Sequence, residues 1–231
     1  MFPIRDTTPT RHFPAITLLI ILVNIAVFFY ELSLTPEATR RLFFLFGLVP
    51  ARYSDAQWAA ATGFPFHGFV SFFTSMFLHG GWMHIIANMW MLWVFGDNVE
   101  DRMGRWRFFL FYITVGILAA LVHFFVNMHV KVPLVGASGA IAGVLGAYFI
   151  LFPRAWVLTV IPIFFWPFFF EVPAVVYLFL WFLIQIISGT ATGAGGAGMT
   201  GVAWWAHIGG FAAGVILHRA FLRKSKRKRR G

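Results

Sequence analysis

The sequence predicts an all-α membrane protein, a bundle of six transmembrane helices with both termini on the cytoplasmic side. Composition, the spacing of charges and the sharing of those charges between loops carry the prediction. Of 231 residues, 60% are hydrophobic and 11% charged, with 30 Phe and 10 Trp, and the mean hydropathy is +0.79. A soluble domain carries roughly 45–50% apolar and about 25% charged residues, so a chain this short has no interior large enough to hide the excess. It has no cysteine, which excludes a disulfide scaffold. No Asp, Glu, Lys or Arg lies between Arg11 and Glu31, Asp55 and Asp97, Arg107 and Lys131, Lys131 and Arg154, or Glu171 and Arg219. A spanning helix needs about 20 mostly apolar residues, and the last of these stretches has room for two.

Taken in order, residues 1–12 form a short polar cytoplasmic segment and residues 13–220 the membrane domain. The first span, 13–32, runs into Glu31-Leu-Ser-Leu34 rather than a small-x-small cleavage site, so it reads as a retained helix and not a removed signal peptide. A long loop, 33–80, holds Pro36, Glu37, Arg40, Arg41, Arg52 and Asp55. Spans 81–98, 107–127 and 137–153 follow. Residues 155–170 are apolar but short and interrupted by Pro162 and Pro167, which predicts an interfacial or re-entrant segment rather than a crossing. Span 172–189, a loop with six glycines over 189–201, and span 202–220 complete the domain.

Residues 221–231 form a basic cytoplasmic tail. With both termini inside, fourteen of the 18 Lys and Arg face the cytoplasm, as positive-inside sorting requires. A bacterial cytoplasmic (inner) membrane is the expected location. Eight of the basic residues crowd between Arg219 and Arg230 with no aromatic after Phe221. Such a tail predicts contact with anionic lipid heads rather than with nucleic acid.

Strongly polar side chains in hydrocarbon cost about 2.5–3.5 kcal/mol on insertion scales and are functional candidates by default. Three clusters stand out: Phe77-Leu-His79-Gly-Gly-Trp-Met-His84-Ile-Ile-Ala-Asn88, Gly136-Ala-Ser138-Gly139-Ala-Ile-Ala-Gly143, and Ala206-His207-Ile-Gly209-Gly210-Phe-Ala-Ala-Gly214. They open the second, fourth and sixth spans, all running outside to inside. His84, Ser138 and His207 therefore share one depth, roughly 5–8 Å below the external boundary at about 1.5 Å per residue. His84 and Asn88 share a helix face at i,i+4. Small-residue stripes (Ser138, Ala142, Gly146; Gly139, Gly143, Ala147; Ala206, Gly210, Gly214) let backbones approach closely in lipid. The short serine side chain needs that approach to reach an imidazole on the next helix.

A serine hydroxyl becomes a nucleophile when a base takes its proton, and histidine titrates in the right range. Ser138 opens a helix, where unpaired N–H groups favour negative charge. With the side chains of His84 and Asn88 these groups suit an oxyanion hole. All eight acids lie in loops or near span ends, so the expected machine is a Ser–His dyad without a carboxylate. His12, His67, His123, His129 and His218 fall outside the constellation, and no cofactor is assigned.

At these residues the chain resembles the rhomboid family of intramembrane serine proteases. The resemblance covers about 70–214 and rests on His79-x4-His84-x3-Asn88, Gly136-x-Ser138-Gly139 and Ala206-His207-x-x-Gly210. Glu100-x-x-x-Gly104 and Val172-Pro-Ala…Trp181…Gln185 add to it. It implies a six-helix rhomboid-like fold with a water-filled cavity open to the outside, Ser138 as nucleophile and His207 as general base. His84, Asn88 and the Ser138 N–H would stabilise the oxyanion, with His79, Glu100, Gly136, Gly139 and Gly210 in support. Substrates would be transmembrane helices that unwind near small residues, entering beside the fifth helix. Two departures stand out. Family members often place an aromatic ring four residues after the serine to stack on the histidine; here Ala142 stands there, so another group must hold His207. Many also carry Trp-Arg where this chain has Val70-Ser71.

Competing classes fail on residues. His-Glu-x-x-His is absent, and the four aspartates, Asp6, Asp55, Asp97 and Asp101, lie in loops or at a span end. A metal held by His79, His84 and His207 would leave Ser138 and Asn88 unexplained. No internal repeat points to a transporter. The alternative from another class is a catalytically inactive rhomboid-like protein with a binding or quality-control role.

Overall fold

A computed structural model describes residues 2–63, 68–163, 166–192 and 203–223. After strand β1 (Phe2–Asp6) come helices α1 (Ala15–Ser33), α2 (Pro36–Phe46), α3 (Ala51–Ser54), α4 (Ala56–Ala61) and α5 (Val70–Thr74). Helices α6 (Trp82–Met103), α7 (Arg105–Val126) and α8 (Ser138–Leu151) follow, then strands β2 (Trp156–Ile163) and β3 (Trp166–Pro173). Helices α9 (Ala174–Thr192) and α10 (Trp204–Phe221) close the described chain. Among the described residues six longer helices, α1, α6, α7, α8, α9 and α10, overlap the six apolar segments of the sequence. Among them α1, α7 and α9 are long and apolar enough to cross a membrane, and α8 is a shorter apolar helix.

This is an integral membrane protein, and its surface is inverted accordingly. Leu22, Ile86, Trp93, Leu110, Ile187 and Ile216 are exposed, while Asn24, Asn88, Asn98, Glu100, His123 and Gln185 are buried. In water that arrangement would be untenable; in lipid the exposed apolar side chains meet an apolar solvent. Helix α1 is fixed at both ends by carboxylates. Glu100 on α6 accepts from the Ile16 N–H (3.0 Å), the Thr17 N–H (2.8 Å) and the Thr17 hydroxyl (2.8 Å), pairing donors that the start of a helix leaves open. Glu31, near the other end, accepts from the His79 N–H at 3.1 Å.

The prediction of an all-α chain needs one correction. Residues 155–170 do not coil; most of them join a three-stranded antiparallel sheet ordered β1-β2-β3. β2 pairs with β3 from Trp156↔Pro173 to Ile163↔Trp166, and β1 pairs with β2 from Phe2↔Val160 to Asp6↔Val157. Val157 and Thr159 are buried while Trp156 is exposed and Leu158 half-buried, the alternation of a strand. Two prolines also forbid a continuous helix. The exposed rings of Trp156, Trp166, Phe168 and Phe169 suit the membrane interface expected for this segment.

The sheet is tied to the helices through Asp6, which accepts from the Tyr148 hydroxyl and from Asn98 Nδ2. Burial pushes the Asp6 carboxyl above its ordinary value, opposed by these hydrogen bonds. The glycine-rich stretch 193–202, His67 and the basic residues from 224 onward lie outside the described residues.

Candidate active site

Three parallel helices build the site. Helices α8 and α10 meet backbone to backbone: a Cβ added at Gly210 would lie 2.0 Å from the Gly139 carbonyl oxygen, and one at Gly214 1.9 Å from that of Gly143. Only glycine tolerates such contact. The pairs 139/210 and 143/214 ascend together, so the two helices run in the same direction. At their far end the Arg223 N–H, just past α10, donates to the Arg102 carbonyl near the end of α6 (3.2 Å), which aligns α6 with them. His84, Ser138 and His207 thus all fall in the first turn or so of helices that begin at one end of the bundle.

The tight seam sets what can stand beside Ser138. A Cβ on Gly139, the next residue, would sit 3.6 Å from Ala206 Cβ and 3.8 Å from the Ala206 carbonyl oxygen, and Ala206 directly precedes His207. The serine and histidine are therefore drawn from adjacent layers of one seam. Both are half-buried. Ser138 is the first residue of α8, and no side chain caps this helix. Among the described residues Ser138 and His207 share no hydrogen bond.

On the other side of Ser138 stands the pair from α6. Gly136 has φ of 128°, a conformation favouring glycine, and its N–H is held by the Ser75 carbonyl at 2.8 Å. A Cβ there would lie 2.7 Å from His84 Nε2 and 3.7 Å from Asn88 Nδ2. The imidazole and the amide thus converge on the backbone two residues before the serine. Asn88 is 7% exposed, and its Nδ2 has no hydrogen-bond partner among the described residues. A buried donor left open costs about 1–3 kcal/mol, so it is poised for an acceptor. His79 packs behind, its ring 5.2 Å from that of His84 at 67°. Gly139 and Gly210 form the seam, Gly136 makes room for His84, and Glu100 caps α1.

His207 is held from α9 instead. The Trp181 ring lies 5.8 Å from the His207 ring at 37°, and His207 Nδ1 is 2.8 Å from Gln185 Oε1. The sequence reading met both residues as marks of resemblance and gave neither a part in the site. The available signal was Gln185 itself, a strongly polar side chain in a long uncharged stretch. In the sequence Glu31 marks the end of the first apolar segment and opens Glu31-Leu-Ser-Leu34, with nothing local to show that it fixes the loop before α6.

A helical membrane protein with a serine, two histidines and an open amide clustered at one end of its bundle is the class of molecule defined so far. The Rhomboid domain family model matches residues 67–224, and the chain belongs to the rhomboid family. It is 29% identical over 167 residues to "Rhomboid protein 1, mitochondrial" of Saccharomyces cerevisiae, covering 70% of this chain and 44% of that protein. It is 36% identical over 91 residues to "Rhomboid-like protein 11, chloroplastic" of Arabidopsis thaliana (39% of this chain, 32% of that one). A third relative, "Rhomboid protease GluP" of Bacillus subtilis, is 40% identical over 74 residues (32% and 14%). The matches thus span less than half the length of each of these relatives.

Proposed function

We propose that this protein is an intramembrane serine endopeptidase that cleaves transmembrane segments of other membrane proteins. The observation that carries the reading is the convergence of His84 and the open Asn88 amide on Gly136, two residues before a serine whose helix abuts that of His207. In this mechanism Ser138 Oγ attacks the scissile carbonyl carbon while His207 Nε2 takes its proton. The carbonyl oxygen, now an anion, is met by Asn88 Nδ2, His84 and the Ser138 N–H. As the tetrahedral adduct collapses, the C–N bond breaks and the imidazolium returns its proton to the leaving amine. Water, activated by the same imidazole, then hydrolyses the Ser138 ester. Among the described residues Ser138 makes no hydrogen bond to His207. Such contacts are often long without substrate and tighten when it binds.

The same reading takes residues 13–220 as a six-span rhomboid-like domain, with residues 1–12 and the basic tail 221–231 in the cytoplasm. The tail would rest on anionic lipid, and the membrane would be a bacterial inner membrane. The positive-inside count supports this orientation, and the family supports the membrane domain. The absence of a Ser138–His207 hydrogen bond favours one rival reading, a rhomboid-like protein that binds membrane segments without cutting them. Purified protein in liposomes separates the two. The protease reading predicts cleavage of a model transmembrane substrate, abolished in Ser138→Ala and in His207→Ala. Cleavage that persists in Ser138→Ala, or none by the wild type across a panel of substrates with unwound small-residue segments, rejects it.

A further inference from the structure

We propose that Gln185 is a positioning residue for the base, its side-chain oxygen holding His207 in the tautomer that leaves Nε2 free to take the serine proton. The inference rests on the dyad reading above. Gln185 is 5% exposed in the middle of α9, so both ends of its amide need partners. Its Nε2 donates to the Trp181 carbonyl one turn earlier at 3.1 Å. That bond decides which way the amide faces: turned over, it would set Oε1 against the Trp181 carbonyl oxygen, two acceptors with no proton between them. Oε1 is therefore directed at His207 Nδ1, 2.8 Å away. A carbonyl oxygen only accepts, so Nδ1 must carry the proton, and the neutral ring then keeps its lone pair on Nε2. The Trp181 ring across the imidazole restricts its remaining rotation. Helix α9 thus supplies both what fixes the plane of the base and what fixes its proton, the latter through a neutral amide where soluble serine proteases use a carboxylate.

The test uses the full chain, with Gln185→Met (similar length, no acceptor) and Gln185→Glu. The glutamate keeps an acceptor oxygen toward Nδ1 whether or not it is ionised, and when protonated it also keeps a donor for the Trp181 carbonyl. We expect Gln185→Met to lower kcat by about 10–100-fold with KM unchanged, and Gln185→Glu to recover most of that loss. A residue that merely packs would show neither the split nor the rescue. Nitrogen-15 spectra of histidine-labelled protein, with the His207 signals assigned by difference from His207→Ala, add a readout on the unaltered chain. Nδ1 of His207 should carry the proton in the wild type, and the two tautomers should mix in Gln185→Met. A Gln185→Met enzyme with undiminished kcat, a Gln185→Glu enzyme as slow as Gln185→Met, or a wild-type His207 protonated on Nε2 each overturns the proposal. These failures are distinct from failure of the dyad: a wild type that cleaves through Ser138 while Gln185→Met keeps full rate removes Gln185 alone.

Discussion

Helix α10 touches its two neighbours in opposite ways. Against α8 the contact is backbone on backbone: Gly210 and Gly214 lie so near the carbonyls of Gly139 and Gly143 that a single methyl group has no space. Against α9 the contact is made by side chains, through Phe182 stacked on Phe211 (ring centroids 4.3 Å apart, 18° between planes), Trp181 and Gln185. A seam of main chain admits one register. A side-chain contact can loosen and re-form by rotamer changes, at modest cost. The helices that carry Ser138 and His207 are therefore fixed to each other. Helix α9, which brings Gln185 to His207, meets α10 through side chains, the kind of contact that a lateral entrance of the sort implied by the family resemblance would use.

The sharpest way to break this contrast is a pair of glycine substitutions. Gly214→Ala forces a methyl group onto backbone 1.9 Å away. It should cost about 3 kcal/mol or more, above the roughly 1–3 kcal/mol usual for an overpacked core, because main chain must move. At Gly189 on α9 the nearest atoms to the same methyl belong to side chains: Trp204 Cβ at 3.2 Å, Ile208 Cδ1 at 3.3 Å and Trp205 Cε2 at 3.8 Å. There the helix propensity gained over glycine, about 1 kcal/mol, offsets the crowding and stability should hardly change. Thermal unfolding in detergent measures both, and equal losses at the two sites would erase the distinction.

Phe182→Ala probes the side-chain contact directly. Loss of the Phe182–Phe211 stack should lower stability by about 1–3 kcal/mol while the α8–α10 seam stays intact. The expected sign is partial loosening, read as faster proteolytic nicking near α9 with protected α8 and α10.

The smallest effect concerns the far end of the bundle. The folded state binds the Asp6 proton more tightly than the unfolded chain, whose value is about 3.8. That contribution to stability is complete at lower pH and is lost as pH rises through the raised folded value. Replacing the carboxyl by an amide in Asp6→Asn should flatten this decline, so the wild type and variant unfolding curves converge toward acid and separate above it. Parallel curves at every pH would show that the Asp6 proton is not linked to folding.

Much of this architecture was legible because membrane solvation is a coarse and strong constraint. Uncharged stretches marked all six long helices, and the polar residues His84, Asn88, Ser138 and His207 were conspicuous against them. The small-residue stripes foretold which helices would touch. What escaped the sequence reading depends on partners distant in the chain. Val157 and Thr159 alternate as a strand, but their pairing with residues 2–6 and 166–173 is a tertiary fact. Apolar character alone does not separate such a strand from an interfacial coil. The hold on His207 was hidden for the same reason. Ala142 signalled a missing partner, yet the distance between Gln185 and His207 depends on how α9 rotates against α10, which no local pattern encodes.

The proposed chemistry requires a Ser138 hydroxyl made reactive by His207, and reaction with a fluorophosphonate tests this without knowledge of any substrate. Wild-type protein in detergent should form a single covalent adduct that peptide mapping places on Ser138, and His207→Ala should form it at a small fraction of that rate while unfolding at the same temperature. An adduct elsewhere, no adduct, or labelling of Ser138 at full rate without His207 would contradict it.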